Sequence, residues 1–321
     1  MSEFLGLVND ISIYPVKSAQ AATVNGQAPI ELGVGLNGFE VMGISDRQFM
    51  VCETSGLFVS QRGWNEDKSV VHVNDRRLAT LKTDIRADHV AITAPGLGTH
   101  EISTQFTSYD SILATVHGKD FWGRCESYET DVFMSMFLGR EVQVVRVDPE
   151  KVRQLPEKYQ HPSAVNRVAA ADGMPFLLTN FTSLAKLHNL AGLPRGTVDM
   201  NRFRGNIAFS CIESLENGAF IEDFIASYYI GASFIAYAVS ACARCPIPNV
   251  NQLTGVFDRL ASKIIIPHRL GYKPGLEDAK ATPFFGVNLN HALTSIGATV
   301  CVGDRVHATT RLDSPLFINK Q

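Results

Sequence analysis

The first half of the chain never sustains one hydrophobic pattern for long. Asp10 to Tyr14, Gln48 to Cys52, Ser69 to Val73 and Val90 to Thr93 are short alternating or β-branched runs separated by Gly, Asn and Asp turns. A two-residue period puts alternate side chains on opposite faces, so such runs bury a face only by pairing in an antiparallel sheet. One stretch breaks the pattern. Tyr128, Val132, Phe133, Met136 and Phe137 recur at three- and four-residue spacing before Gly139, which predicts a helix over 127–138. A strand from Glu141 to Val147 is expected next. The polar, proline-containing stretch Asp148 to Asn166 then separates the halves, and the expected domains are 1–150 and 151–321. The second half reads as a strand around Phe176, a helix from about Thr182 to Leu190, and strands near Ile207 and Phe234. The expected fold class is α+β, mainly β.

Composition narrows the possibilities further. With 321 residues, 45% hydrophobic and 19% charged, the chain can bury ordinary cores and is not a disordered one. A formal charge of −3 offers no global attraction for nucleic acid, so any anion site must be local. Six cysteines do not make a disulfide framework at this length, and MSEFLGLVNDISIYPVKS lacks the basic start and apolar run of a signal peptide. A cytoplasmic location is expected. The most apolar region, Phe224 to Val239, is interrupted by Ser227, Gly231 and Ser233 and is too short to span a bilayer, so it reads as buried strands with no membrane partner.

Chemistry concentrates in Ala241 to Gly255, ACARCPIPNVNQLTG. A thiolate is the reactive and ligating form of cysteine, and a cation such as Arg244 beside Cys242 and Cys245 favours it. Cys52, Cys211 and Cys301 stand in apolar or strand-like surroundings and read as packing. Structural zinc needs about four paired ligands, whereas His268 stands alone downstream. A thioredoxin-like centre starts a helix, which Pro246 and Pro248 forbid here. A strand running into a loop is expected instead.

Several cations stand at strand edges beside polar partners. Lys17 and Ser18 follow a strand expected to end in Tyr14-Pro15-Val16; Asp46-Arg47 precede Gln48 to Cys52; Arg202 and Arg204 bracket Phe203 just before Asn206 and the strand Ile207 to Ser210. Singly, each is an ordinary surface charge. Converging from different elements, they would supply forked guanidinium and hydroxyl donors to a phosphate or pterin-like anion. His117, His161 and His268 lie in polar loop contexts, where a surface role and proton relay are both open.

In order along the chain, Ile13-Tyr14-Pro15-Val16-Lys17-Ser18, Asp46-Arg47, Ala171-Asp172-Gly173-Met174-Pro175-Phe176-Leu177-Leu178, Asn201-Arg202-Phe203-Arg204-Gly205-Asn206, Cys242-Ala243-Arg244-Cys245, Phe285-Gly286 and Val302-Gly303-Asp304 resemble the MOSC-domain molybdenum enzymes. The type is that of YcbX and the mitochondrial amidoxime-reducing component. The resemblance implies an N-terminal MOSC β-barrel-like domain, a β-barrel MOSC domain with a few peripheral helices, and molybdenum cofactor (Mo-molybdopterin) between them. It implies Cys245 as metal ligand and catalytic centre, which suits a soft thiolate. Lys17, Ser18, Arg47 and Arg204 would bind the pterin or its phosphate, together with Arg202, Asn206, Asp172, Gly173 and Arg244. The activity implied is reduction of N-hydroxylated compounds (hydroxylamines, amidoximes, N-hydroxylated bases) to amines, on small-molecule substrates. At the level of the family as a whole, pyridoxal phosphate binding is a further association.

The sequence departs from that pattern after Cys245, where Pro246-Ile247-Pro248-Asn249-Val250-Asn251 replaces a Thr-Thr-Val-Asp type of run and Asn251 stands for an aspartate. Only Cys301 lies beyond Cys245, so the chain cannot hold the four-cysteine cluster of a plant-type ferredoxin domain. Without an internal iron-sulfur cluster, electrons are expected from a flavoprotein reductase or ferredoxin-type protein. Two other readings of the thiol remain: a persulfide-carrying sulfurtransferase, and a protein that binds or delivers the cofactor without turnover.

Overall fold

The computed structural model describes residues 2–62, 73–105, 110–148 and 151–320. Its centre is a barrel of seven strands: β1 (Glu3–Ile11), β2 (Phe176–Asn180), β3 (Ile207–Cys211), β4 (Ile225–Ile230), β5 (Phe234–Ala243), β6 (Thr282–His291) and β7 (Arg305–Arg311). The order around the ring is β2-β3-β1-β7-β4-β5-β6, and β6 pairs back onto β2. A ring with an odd number of strands cannot alternate direction throughout. Here β2 and β3 are the parallel pair, and every other contact in the ring is antiparallel. Parallel neighbours need a long crossover, which the helix Phe181–Leu190 begins directly after β2.

Alternation decides what fills the barrel. Phe176 and Leu178, Ile207 and Phe209, and Tyr228 and Ile230 are buried in one continuous core. Ala208, between two of them, turns the other way onto Leu184, Leu187, Ile264 and Ile265 of the helices Phe181–Leu190 and Leu260–Arg269. Each such fully buried side chain contributes about 1.5–3 kcal/mol. Closure also depends on Gly286 in β6, which has φ +79°, and any Cβ there would lie 2.7 Å from the Leu178 carbonyl oxygen of β2.

Three small sheets of four strands surround the barrel, all drawn from the first half except for the edge strand Thr299–Cys301. One of them carries Ser111–Val116, Lys119–Cys125, Gln143–Val147 and Phe49–Cys52 in that order, and so fixes the segment that bears Asp46 and Arg47. The β class, the helix and the buried strands of 224–239 accord with the sequence reading; most of the run Ser69 to Val73 lies outside the described residues.

Two local differences have physical causes. The helix, Tyr128–Leu138, is capped by Ser127 Oγ accepting from Thr130 N at 3.2 Å and stopped by left-handed Gly139. Its buried face, however, is Thr130, Met134 and Leu138, while Tyr128 (78% exposed) and Met136 (64%) face outward. The ladder of β1 ends at Ile11 rather than running to Val16. Beyond it, Tyr14 and Pro15 offer their carbonyls to Arg47 N and Phe49 N, at 2.7 and 2.8 Å, and Lys17 N donates to Phe49 O at 2.8 Å. Proline has no N–H for a ladder. The extended segment therefore stays docked on 46–49 while delivering Lys17 and Ser18 inward.

Candidate functional site

A pocket of about 610 Å³ opens where these segments meet β5 and the loop after it. It is lined by Lys17, Ser18, Arg47, Asp172, Gly173, Arg204, Asn206, Cys242, Arg244 and Cys245, so almost every residue singled out in the sequence converges. Arg202 does not line it. Its guanidinium makes a two-pronged pair with Asp258 at 2.9 and 2.7 Å, bracing the turn before Arg204.

The cations are held by groups that set their direction. Arg47 pairs with buried Asp46 and donates to Asn206 Oδ1 at 3.3 Å. Arg204 donates to Ala19 O at 2.5 Å and to Gln252 Oε1 at 3.2 Å, and burial lowers its pKa to about 10. Both guanidinium carbons lie over the Tyr14 ring, 4.5 and 4.4 Å from its centre. Asn206 joins the halves of the chain by donating from Nδ2 to Ser12 O and Asp46 Oδ2, each at 3.2 Å. Lys17 lies over Phe58, and its ammonium pairs with Asp172; burial still brings its pKa down to about 8. Although desolvation in the pocket opposes it, the half-exposed carboxylate of Asp172 is held well below the usual range by Lys17, His117 and Arg62.

Two lining residues, Arg62 and His117, have no place in the sequence motifs. Arg62 donates to Asp172 Oδ2 at 2.5 Å, meets His117 Nδ1 at 3.1 Å and lies near enough to Cys245 to feel its charge. Although burial alone would lower it, the charges of Asp172 and Cys245 raise its pKa. Arg244 instead serves Cys242, with Nη1 3.0 Å from Sγ and Nη2 2.8 Å from Phe203 O. The cation beside Cys245 is thus distant in sequence. Arg62 follows the strand Val59–Ser60, and a cation at a strand end was the very signal that singled out Lys17 and Arg47.

The other sequence candidates separate cleanly. Of the three histidines only His117 lines the pocket; His161 stacks on Tyr237 with ring centres 3.6 Å apart, and His268 lines a separate groove. Asn251 is not in the lining either: its Oδ1 accepts from Leu253 N and Thr254 N at 2.9 and 3.1 Å, closing its own turn. Cys245 leaves β5 through Ala243 and Arg244 into the short 3-10 turn Ile247–Asn249, as the prolines require.

Gln252 connects that turn to the cradle. Its Nε2 donates to Gln61 Oε1 at 2.9 Å and to Val250 O at 3.0 Å, while Gln61 Nε2 donates to Ser18 O at 2.8 Å. Arg204 has only donors, so it fixes which way the Gln252 amide faces and, through it, Gln61. Strain collects here as well. Nine non-glycine residues among those described have positive φ, and four of them, Ser18, Arg47, His117 and Arg204, line this pocket.

The donor set fits an anionic cofactor. Six cations, Lys17, Arg47, Arg62, Arg204, Arg244 and Lys273, share the lining with a single carboxylate, Asp172, in a chain of net charge −3. Arg62 Nε and Arg244 Nε are buried donors with no partner among the described residues, which an acceptor-rich ligand would satisfy. No three His, Cys, Asp or Glu side chains cluster to hold a metal among the described residues, so a metal here would depend on one thiolate and on non-protein ligands.

Residues 5–141 match the MOSC N-terminal beta barrel domain and residues 165–307 match the MOSC domain. The chain belongs to the MOSC family. Mitochondrial amidoxime reducing component 2 of Bos taurus is 24% identical over 307 residues, spanning 94% of this chain and 83% of that protein. Mitochondrial amidoxime-reducing component 1 of Xenopus laevis is 24% identical over 313 residues, with 96% and 83% covered. The Mus musculus protein of that name is 26% identical over 79% of this chain and 68% of its own length. These relationships support a function tied to molybdenum cofactor. No helix among the described residues is long and apolar enough to cross a membrane.

Proposed function

We propose that this protein is a molybdenum cofactor-dependent reductase that converts N-hydroxylated compounds to amines. The observation that carries the reading is a half-buried cysteine, Cys245, in a pocket with six cations, one carboxylate and two orphaned guanidinium donors. Lys17, Ser18, Arg47, Arg204 and Asn206 would hold the pterin and its phosphate, and the Cys245 thiolate would be the protein ligand. The bound cofactor would supply the two electrons that break the N–O bond, so that R–NHOH, two electrons and two protons give R–NH₂ and water.

The chain's own residues orient and protect that chemistry. Arg62 sets a guanidinium charge beside Cys245. Since Arg62 can only donate, His117 Nδ1 accepts and the imidazole proton sits on Nε2, 3.3 Å from Asp172 Oδ1. That Nε2–H then faces the pocket carboxylate. Electrons would come from a separate redox protein.

Protein purified from a host that makes the cofactor should contain about one molybdenum per chain and reduce hydroxylamine or amidoxime substrates with a chemical reductant. Cys245→Ala should lose both properties. Full molybdenum retention in that variant would remove Cys245 as ligand; loaded protein without N–O reduction would point to a cofactor carrier, and a metal-free protein bearing a persulfide to sulfur transfer.

A further inference from the structure

Three of the six lining cations are engaged by carboxylates: Lys17 and Arg62 by Asp172, and Arg47 by Asp46. Arg204 and Arg244 are locked onto carbonyls and side chains of the cradle. Lys273 is different. It follows the strand Leu270–Tyr272, well away in sequence from every cradle motif, and makes no ion pair with a described acid.

What holds it is neutral. The Lys273 ammonium donates to the Tyr159 hydroxyl at 3.1 Å and lies 5.3 Å from the centre of that ring. Lys158 places a second ammonium 5.0 Å from the same ring centre. Partial burial would raise the Tyr159 phenol, yet Lys273 and Lys158 together pull it below its ordinary value. A phenol oxygen accepts one of the three N–H donors of Lys273 and leaves the charge uncompensated. Tyr159 therefore aims an ammonium without neutralising it, on a wall of the pocket that holds Cys245.

Building on the reductase reading of this pocket, we propose that Lys273, oriented by Tyr159, binds the phosphate of the substrate. The preferred substrates are then phosphorylated N-hydroxylated compounds, nucleotides among them, rather than their neutral counterparts. Lysine binds phosphate as a point charge, and a point charge favours a dianionic phosphate over a monoanion. The preference should weaken with salt, because the contact is only half-buried.

The test uses the loaded protein and ligands that need no electrons. Binding of cytidine 5′-monophosphate and of cytidine, the amine products of the corresponding N-hydroxylated compounds, is measured by calorimetry on wild type, Lys273→Met and Tyr159→Phe. The nucleotide should bind about tenfold more tightly than the nucleoside, the span of a partly screened charge-assisted hydrogen bond. Lys273→Met should bring that ratio close to one, Tyr159→Phe should lower it partway, and both should keep their molybdenum. A ratio near one in wild type, a ratio unchanged in Lys273→Met, or molybdenum lost from Lys273→Met would each overturn the proposal, the last by giving Lys273 to the cofactor. Turnover of N4-hydroxycytidine and its monophosphate is measured separately. Failure to reduce either compound would refute the reductase reading, while the binding ratio still decides the role of Lys273.

Discussion

Replacing Gln252 by leucine removes three hydrogen bonds at the hinge between the cysteine loop and the cation cradle while nearly conserving volume. The amide nitrogen of Gln252 is the donor to Gln61 Oε1, and Gln61 is wholly buried. Stranding that oxygen costs about 1–3 kcal/mol, and the imperfect shape match adds about 1 kcal/mol. A loss of about 2–4 kcal/mol is expected for Gln252→Leu. Gln61→Leu should cost about 1–3 kcal/mol, because it strips Ser18 O of its donor while Gln252 Nε2 keeps Val250 O. In the double variant neither amide is left facing an apolar group, so its cost should fall short of the sum by about 1–2 kcal/mol. Urea unfolding of all four proteins measures the cycle, and molybdenum content reports the cradle, since Ser18 and Arg204 both lose a support. If the two costs add to within about 0.5 kcal/mol, the chain from Arg204 through Gln252 and Gln61 to Ser18 is not an energetic unit and the reasoning fails.

The remaining predictions concern charge. In cofactor-free protein at neutral pH, Arg62→Gln should slow iodoacetamide alkylation of Cys245 more than that of Cys242, whereas Arg244→Gln should do the opposite; peptide mass spectrometry separates the sites, and the reverse outcome would return Arg244 to Cys245. His291 is fully buried, donates from Nε2 to Gly35 O at 2.9 Å, and burial lowers its pKa from 6.5 to about 4. Between those values the unfolded chain binds the extra proton, so this group's stabilising share is present above pH 6.5 and is lost as pH falls toward 4. That share is roughly 3 kcal/mol. The difference in stability between wild type and His291→Gln, followed by urea unfolding from pH 7 to 4, should shrink by that order; a pH-independent difference would refute it.

The sequence announces elements whose signals are local. Ser127 and Gly139 delimit their helix because a cap and a left-handed stop act within one turn, and Pro246 and Pro248 force the strand into a loop. It is weaker wherever two identical residues part company. Arg202 and Arg204 stand in the same motif, yet the first ends inside a 3-10 turn facing Asp258 and the second adopts φ +56° and swings to Ala19 and Gln252. Only backbone conformation tells them apart. Arg62 stayed hidden, and His117 could not be told from His161 and His268, because their meaning lies in meeting Asp172 across the fold and neither sits in a compact motif. Tyr128 and Met136 show what spacing leaves open: apolar residues at helical spacing reveal a helix but not which side is covered. The helix Leu260–Arg269 carries Pro267 inside it and starts from left-handed Arg259, two features that mask helical signal in a sequence.

The ring of seven strands also governs the order of events in assembly. β1 takes its partners from β3 and β7, pairing Gly6 with Cys211 and Glu3 with Ala308. During synthesis one edge of β1 must therefore wait for β3 and the other, longer still, for β7. Contacts so remote fold slowly and leave aggregation-prone edges in the meantime. Lys17 and Ser18 follow directly on β1, and Cys245 on β5, so the two sides of the pocket come together as the ring closes. Cofactor would then be received by an all but finished protein, and loading becomes a checkpoint on completed folding rather than a nucleus for it.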